Sequence, residues 1–219
     1  MPNEASTIRN PESVLVCFAL KEEAAPFRKI AAAKSGVSIL ITGIGRDNSR
    51  RSLVKQLAQS TPHLVLTCGF AGGLDPALKI GDVIFEPQDV SLREKLLRAG
   101  ARPAKFFCAG RIASTAAEKK KLRDDTHADA VEMESAETHA VCRERGIPCV
   151  TVRVISDTAH ADMPLDFNLL SKPDLSLDFG KLAWAIAKSP GKIGALLKLQ
   201  KETNFAAKRL AQALAVVIW

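Results

Sequence analysis

Four carboxylates stand where this chain could assemble chemistry. Glu132 and Glu134 flank Met133 at what reads as the mouth of a helix, Asp157 follows the apolar run Pro148–Ile155, and Glu23 follows an apolar stretch near the N-terminus. A carboxylate accepts two hydrogen bonds from vicinal hydroxyls, so Glu134, or Glu132, suits a diol such as that of a ribose. A carboxyl partly buried at a strand end can carry the proton that a leaving group needs, which suits Asp157. Glu23 could orient or activate water. Cleavage of a ribosyl–base bond, through an oxocarbenium-like state, needs these same three services. Plainer roles exist for each group. Glu22 and Glu23 could offset a helix dipole, Glu132 and Glu134 could be helix-terminus acids, and Ser156-Asp157 could be a turn. The order and context of the four raise the chemical reading.

The elements that must position them alternate. Short apolar runs of strand length are predicted at Ser13–Ala19, Val37–Thr42, His63–Cys68, Gly81–Phe85, Lys105–Ala109 and Pro148–Ile155. Helices are predicted at Ala24–Ala33, Ser49–Gln59, Thr115–Arg123, Met133–Arg145, Leu177–Lys188 and Gly191–Val217, with Val90–Arg102 helical or irregular. The alternation predicts an α/β fold, a single three-layer α/β/α sandwich with a mixed, largely parallel sheet. Residues 1–12 are expected to be a flexible N-terminus and 13–219 one domain ending in an amphipathic helix. Two glycine-containing stretches follow strands, Gly43-Ile44-Gly45-Arg46 and Gly69-Phe70-Ala71-Gly72-Gly73. Such loops offer backbone N–H groups to an anion or let a ligand approach closely. The first is not a dinucleotide fingerprint, because Asn48 stands at the third glycine position.

Composition narrows the function classes. The chain has 219 residues, 47% hydrophobic, with a formal charge of +7, and these suit one ordinary globular domain. The basic residues are spread and no tyrosine is present, so a solvated basic surface is expected rather than a nucleic-acid platform. The Lys119-Lys120-Lys121 run is read as a solvated helix face. The five cysteines form no Cys-x-x-Cys pair and read as reduced thiols; no metal or other cofactor is expected. No apolar stretch is long enough to span a membrane and residues 1–12 lack an apolar signal core, so a cytoplasmic location is expected.

Taken in order, several segments resemble the nucleoside phosphorylase and nucleosidase superfamily, particularly the methylthioadenosine/adenosylhomocysteine nucleosidases. They are Ala19–Glu23, Thr42–Arg46, Cys68–Leu74 with Lys79–Val83, Ala130–Glu134 and Val152–Asp157, covering roughly residues 13–160. The resemblance implies that Glu134 binds the ribose hydroxyls with Glu132 in support, and that Met133 packs under the sugar. It implies that Asp157 is the general acid to a purine, adenine being favoured, positioned by Ser156. Ala71 and Gly72 would touch base or sugar through backbone, and Glu23 would orient the attacking water. Phe70 stands where the superfamily often has a serine, and the stretch from Phe85 to Lys105 is short where the nucleosidases build part of the sugar and 5′-substituent pocket.

Water is favoured as nucleophile because of Glu23. Gly45 and Arg46 would hold phosphate if the enzyme is instead a phosphorylase with inorganic phosphate as co-substrate. The tail from Pro164 through Pro190–Leu197 resembles that of the hopanoid-associated phosphorylases, which act on an adenosyl group attached to a lipid. A homodimer or larger homo-oligomer is expected, with weak membrane-surface contact through the last helix as a further expectation. Phe70 also leaves open a nucleoside-binding module without catalysis.

Overall fold

A computed structural model describes residues 13–86, 90–172, 174–176 and 178–219. The N-terminal stretch 1–12, expected to be flexible, lies outside the described residues, as do Pro173 and Leu177. The elements follow in the order β1 (Val14–Phe18), α1 (Lys21–Ala31), β2 (Val37–Ile41), α2 (Arg46–Leu57), β3 (Leu64–Gly73), β4 (Val83–Glu86) and α3 (Val90–Arg98). There follow β5 (Arg102–Pro103), β6 (Phe106–Cys108), α4 (Ala116–Thr126), β7 (Ala130–Glu132), α5 (Ser135–Glu144), β8 (Cys149–Asp157), α6 (Phe179–Lys188) and, after a 3-10 turn at Pro190–Lys192, α7 (Ile193–Ile218).

The sheet runs β2-β1-β3-β8-β4-β5. Strands β2, β1, β3 and β8 are mutually parallel, while β4 runs antiparallel to β8. At the far end of β3, β7 pairs antiparallel with Gly72 and Gly73 and carries β6 beside it. The sheet is therefore mixed and largely parallel, as expected.

Side chains on a strand alternate between faces, and the two faces of this sheet are covered by different helices. Val14, Val16 and Phe18 of β1, with Val150, Val152 and Val154 of β8, pack with Phe27 of α1, Leu92 and Leu96 of α3, and Leu210 and Leu214 of α7. Leu15 and Cys17, on the opposite face, join Leu53 and Leu57 of α2 and Val141 and Cys142 of α5. Trp219 stacks on Phe27 at 5.9 Å between ring centroids, so the chain's end is fastened to α1. Covered on both faces, β8 is buried at all nine positions, and Arg153 and Asp157 are thereby charges inside a core strand.

Several local expectations are corrected. Gly69–Gly73 is not a loop but the end of β3, because its backbone pairs with both β8 and β7. Glu132 lies on a strand and Met133 outside any helix, since the helix begins only at Ser135. Lys119 is not on a solvated face: it is fully buried, while Lys120 and Lys121 make exposed ion pairs one turn along with Asp124 and Asp125. The last helix is divided. Its second half buries Ala206, Leu210, Leu214 and Val217, whereas Ile193 and Leu197 in its first turns are exposed.

Candidate active site

The site is laid out along the end of β3, from Gly69 to Gly72. Gly69 has φ +148°, and a side chain there would come within 2.7 Å of Arg153 Nη1 and 2.8 Å of Glu23 Oε1. Glycine is what lets these two charged groups close on the backbone. The next residue, Phe70, donates its N–H to Glu23 Oε1 at 2.9 Å, while Glu23 Oε2 accepts from the Leu20 N–H at 2.9 Å. Glu23 thus caps the start of α1 and also faces the site. Phe70 contributes its backbone, and its ring packs against the core.

Arg153 joins the acids. Its Nη2 lies 2.5 Å from Glu132 Oε2 and 3.2 Å from Glu134 Oε2, and all three side chains are buried. Glu132 is saturated: it also accepts from the Ser135 hydroxyl at 2.6 Å and from the N–H groups of Glu134 and Ser135 at 3.0 and 2.8 Å. This makes it the anchor of the α5 N-terminus. Glu134 is less committed. Besides Arg153 it accepts the Gly45 N–H on Oε1 at 2.9 Å and feels the Met133 backbone N–H, fewer partners than Glu132 has, so lone pairs on it remain for a diol. Gly45 itself is the N-cap of α2, at φ +87°, a backbone conformation that other residues adopt only with strain. Arg46 reaches across to the Cys108 carbonyl. Met133 is buried between Glu132 and Glu134.

Three carboxylates around one guanidinium divide their protons unequally. Burial pushes Glu23 up to about 7, the nearby Glu134 adding to it, while the Phe70 N–H and Arg153 oppose. Glu134 is also raised, by burial first and by Glu132, against the pull of Arg153. For Glu132 burial is outweighed: Arg153, the Ser135 hydroxyl and two backbone N–H groups hold it below the ordinary carboxylate range.

At the other end of the β3 segment stands Asp157. The register between β3 and β8 shifts between Ala71 and Gly72, so that Ala71 faces Ile155 and Gly72 faces Asp157, with Ser156 as the extra residue. Bulges of this kind bend a strand and re-aim the side chain that follows. The Ser156 hydroxyl donates to Asp157 Oδ1 at 2.7 Å and lies 3.4 Å from the Ala71 carbonyl. Asp157 Oδ2 is buried, accepts no aligned hydrogen bond, and lies 3.3 Å from where a side chain at Gly72 would begin. Lys119 Nζ lies 2.5 Å from that same oxygen, an ion pair off the hydrogen-bonding direction.

Every residue singled out from the sequence is thus placed. Glu23, Glu132, Glu134 and Gly45 gather with the Phe70 backbone at one end; Ala71, Gly72, Ser156 and Asp157 gather at the other. Arg46 stands at the rim on a carbonyl. The sequence reading gave no role to Arg153 or Lys119. A lone arginine amid Val152, Val154 and Ile155 was the signal for the first, because a charge inside an apolar strand must have partners.

Comparison with known proteins agrees with this architecture. The sequence model described as the Phosphorylase superfamily matches residues 104–187. A 5′-methylthioadenosine/S-adenosylhomocysteine nucleosidase of Glaesserella parasuis is 26% identical over 166 residues, 60% of this chain and 72% of that protein. One from Marinomonas sp. is 29% identical over the same length and shares. The Helicobacter pylori nucleosidase of the same name superposes with a TM-score of 0.69 at 17% identity, covering 95% of this chain and 99% of that one. The futalosine hydrolase of Helicobacter pylori gives 0.65 at 18% identity, covering 93% and 97%. With the sheet order and the clustered acids, these likenesses make the chain similar to the phosphorylase superfamily in part of its sequence and to its nucleosidases in fold.

Proposed function

We propose that this chain hydrolyses the N-glycosidic bond of a purine nucleoside. The observation that carries the reading is the placement of two unlike acid groups at the two ends of Gly69–Gly72. Three residue steps along a strand span about 10 Å, a length that a sugar and its base can bridge. At the first end Glu134 receives the ribose hydroxyls, its Gly45 and Arg153 contacts fixing its direction. Glu23, poised near neutrality, takes the proton of a water aimed at the anomeric carbon. At the second end Asp157 delivers a proton to the departing base beside the Gly72 backbone. The names carried by the curated relatives favour adenine as that base.

Water fits better than phosphate. Arg153 is already shared by Glu132 and Glu134, the Gly45 N–H is given to Glu134, and Arg46 is turned to a carbonyl. A phosphate dianion at this end would face carboxylates, not free donors. The test is base release from adenosine, 5′-methylthioadenosine, S-adenosylhomocysteine and an adenosyl lipid, each with and without phosphate. Adenine release independent of phosphate is expected. Strict dependence on phosphate would make the enzyme a phosphorylase, and tight adenosine binding without release would make it a binding module.

A partner surface belongs to this reading as well. The ten residues of α6 bury no side chain, and Phe179 and Trp184 are 76% and 63% exposed. From Phe179 to Lys201 the chain carries five lysines and no acid. Asp178 caps α6 and Glu202 pairs with Lys198, so the lysines outnumber the acids that flank this apolar face; a net positive apolar face suits an anionic lipid surface, which a second copy of the same face does not. Among the described residues no helix is long and apolar enough to cross a membrane, so the contact is peripheral.

A further inference from the structure

Lys119 is the buried charge that the reaction as described does not use. It lies on the inward side of α4, in step with Leu122 and Thr126, and is fully buried. Its Nζ has three oxygen neighbours: the Thr158 carbonyl at 2.8 Å, the Ala161 carbonyl at 2.9 Å and Asp157 Oδ2 at 2.5 Å. An ammonium has three N–H bonds, so each has one acceptor at hand. Two carbonyls would suffice to tie α4 to the segment after β8. The third contact goes to the one buried carboxylate oxygen among the described residues that accepts no aligned hydrogen bond, and that oxygen faces Gly72. Any proton given to a base by that carboxylate must be replaced, and the nearest proton donor to Oδ2 is Nζ.

We propose that Lys119 and Asp157 work as one acid, in which the proton destined for the leaving base rests on Lys119 Nζ and reaches the base through the Asp157 carboxylate. As the bond between the anomeric carbon and the base nitrogen breaks, its electron pair goes to the base. An imidazole nitrogen of the base gains the proton from Asp157, the Asp157 oxygen gains one from Nζ, and Lys119 is left neutral. The attacking water bonds to the anomeric carbon and gives its proton to Glu23. Solvent then returns a proton to Lys119 and removes one from Glu23, so the cycle balances as hydrolysis. Lys119 touches no substrate atom; it is a positioning residue that acts through Asp157. The two backbone carbonyls hold Nζ in place while its third hydrogen is free to move toward Oδ2.

The inference rests on the purine-nucleoside reading, and the experiment separates their failures. Two substrates are compared in the same protein preparation, adenosine and a 7-methylpurine nucleoside. The base of the second is already cationic and leaves without being protonated. General acid catalysis is worth roughly 100-fold to 10,000-fold. Lys119→Met is expected to lose about 100-fold in kcat on adenosine, with KM little changed, and to keep most of its activity on the methylated substrate. Asp157→Asn should show the same selectivity. Because the ratio of the two activities is taken within one preparation, it does not depend on how much of the variant has folded. If Lys119→Met yields no soluble protein, Lys119→Arg decides. A guanidinium keeps the charge and the carbonyl contacts but does not give up its proton, so it too should lose adenosine cleavage selectively. Equal losses on both substrates, or a fully active Lys119→Arg, would overturn the inference and leave Lys119 a structural tie. A wild-type protein inactive on both nucleosides would remove the functional reading, and this inference with it.

Discussion

The interior around Gly69–Gly72 and the outer face of α6 depart from ordinary burial in opposite directions. Inside, Glu23, Glu132, Glu134, Arg153, Lys119 and Asp157 are charged residues removed from water. Outside, Phe179 and Trp184 are apolar residues left in it. Each departure costs free energy, and the two are offset differently. The interior charges are held by one another and by backbone N–H and carbonyl groups, so their compensation is internal and geometric. On the α6 face Lys188 Nζ lies over the Trp184 ring at 3.9 Å and the two aromatics otherwise stay open to solvent; the lipid surface proposed above would supply further compensation. Inside, the groups left over once the charges have held one another, Asp157 Oδ2 above all, are the ones open to a small molecule; outside, the exposed aromatics are open to a surface.

The sharpest way to break the first half of that comparison is Arg153→Leu. Removing one member of a buried ion cluster strands the others, at a cost of about 3–5 kcal/mol. Here it would leave Glu132 and Glu134 without their shared cation. Urea unfolding at neutral pH is expected to show that loss, together with loss of turnover. Pairing it with Glu132→Leu should recover part of the stability, because the uncompensated carboxylate goes too. A loss below about 1 kcal/mol for the single variant, the level of an exposed pair, would mean that the interior charges do not depend on one another.

Next in size is the response to pH. Glu23 is raised to about 7 by burial and then by Glu134. As a base it must be ionised, so kcat/KM is expected to rise with pH through about 7 and then level. Stability should move the other way. Glu23 binds its proton more tightly folded than unfolded, so its contribution is full below its ordinary value and is lost as pH rises through about 7. Glu134→Gln removes a neighbouring negative charge and should shift the rising limb of the rate profile to lower pH, whatever it does to its height. A limb that stays in place would separate Glu23 from Glu134 electrostatically.

How much of this was legible beforehand differs between the two regions. The layered fold and the positions of Glu134, Asp157 and Glu23 could be read, because strand-length apolar runs alternate with helices and the acids fall at their ends. The conformation of Gly69–Gly73 could not. Glycines signal a loop, and only pairing with β7 and β8, distant in sequence, keeps them in a strand. Lys119 was hidden by its neighbours, since three consecutive lysines look alike. Helical phase distinguishes them: Lys119 shares a face with Leu122, while Lys120 and Lys121 face Asp124 and Asp125. The final helices showed their amphipathic pattern plainly, but sequence cannot say which half of such a pattern finds a core. The packing of Ala206–Val217 against α1 and the sheet decides that.

The smallest expected effect on the folded chain belongs to the α6 face, and that smallness is the test. Phe179→Ser with Trp184→Ser replaces side chains that touch no core, so stability should change by no more than about 0.5 kcal/mol and turnover on a soluble nucleoside should be unaltered. Binding to vesicles should change greatly. The parent chain is expected to sediment with vesicles containing phosphatidylglycerol and much less with pure phosphatidylcholine. Each lysine near an anionic surface contributes about 1 kcal/mol, and added salt should screen that attraction. The double variant should lose the sedimentation while keeping its lysines, because cations alone, without apolar anchors, hold weakly. If the parent chain ignores both vesicles but its oligomeric state falls when the two aromatics are removed, the face is an interface between copies. The lysines would then have to be arranged around that contact, not across it. If neither measurement moves, exposed aromatics on this helix need no partner, and the contrast between the two regions reduces to the interior alone.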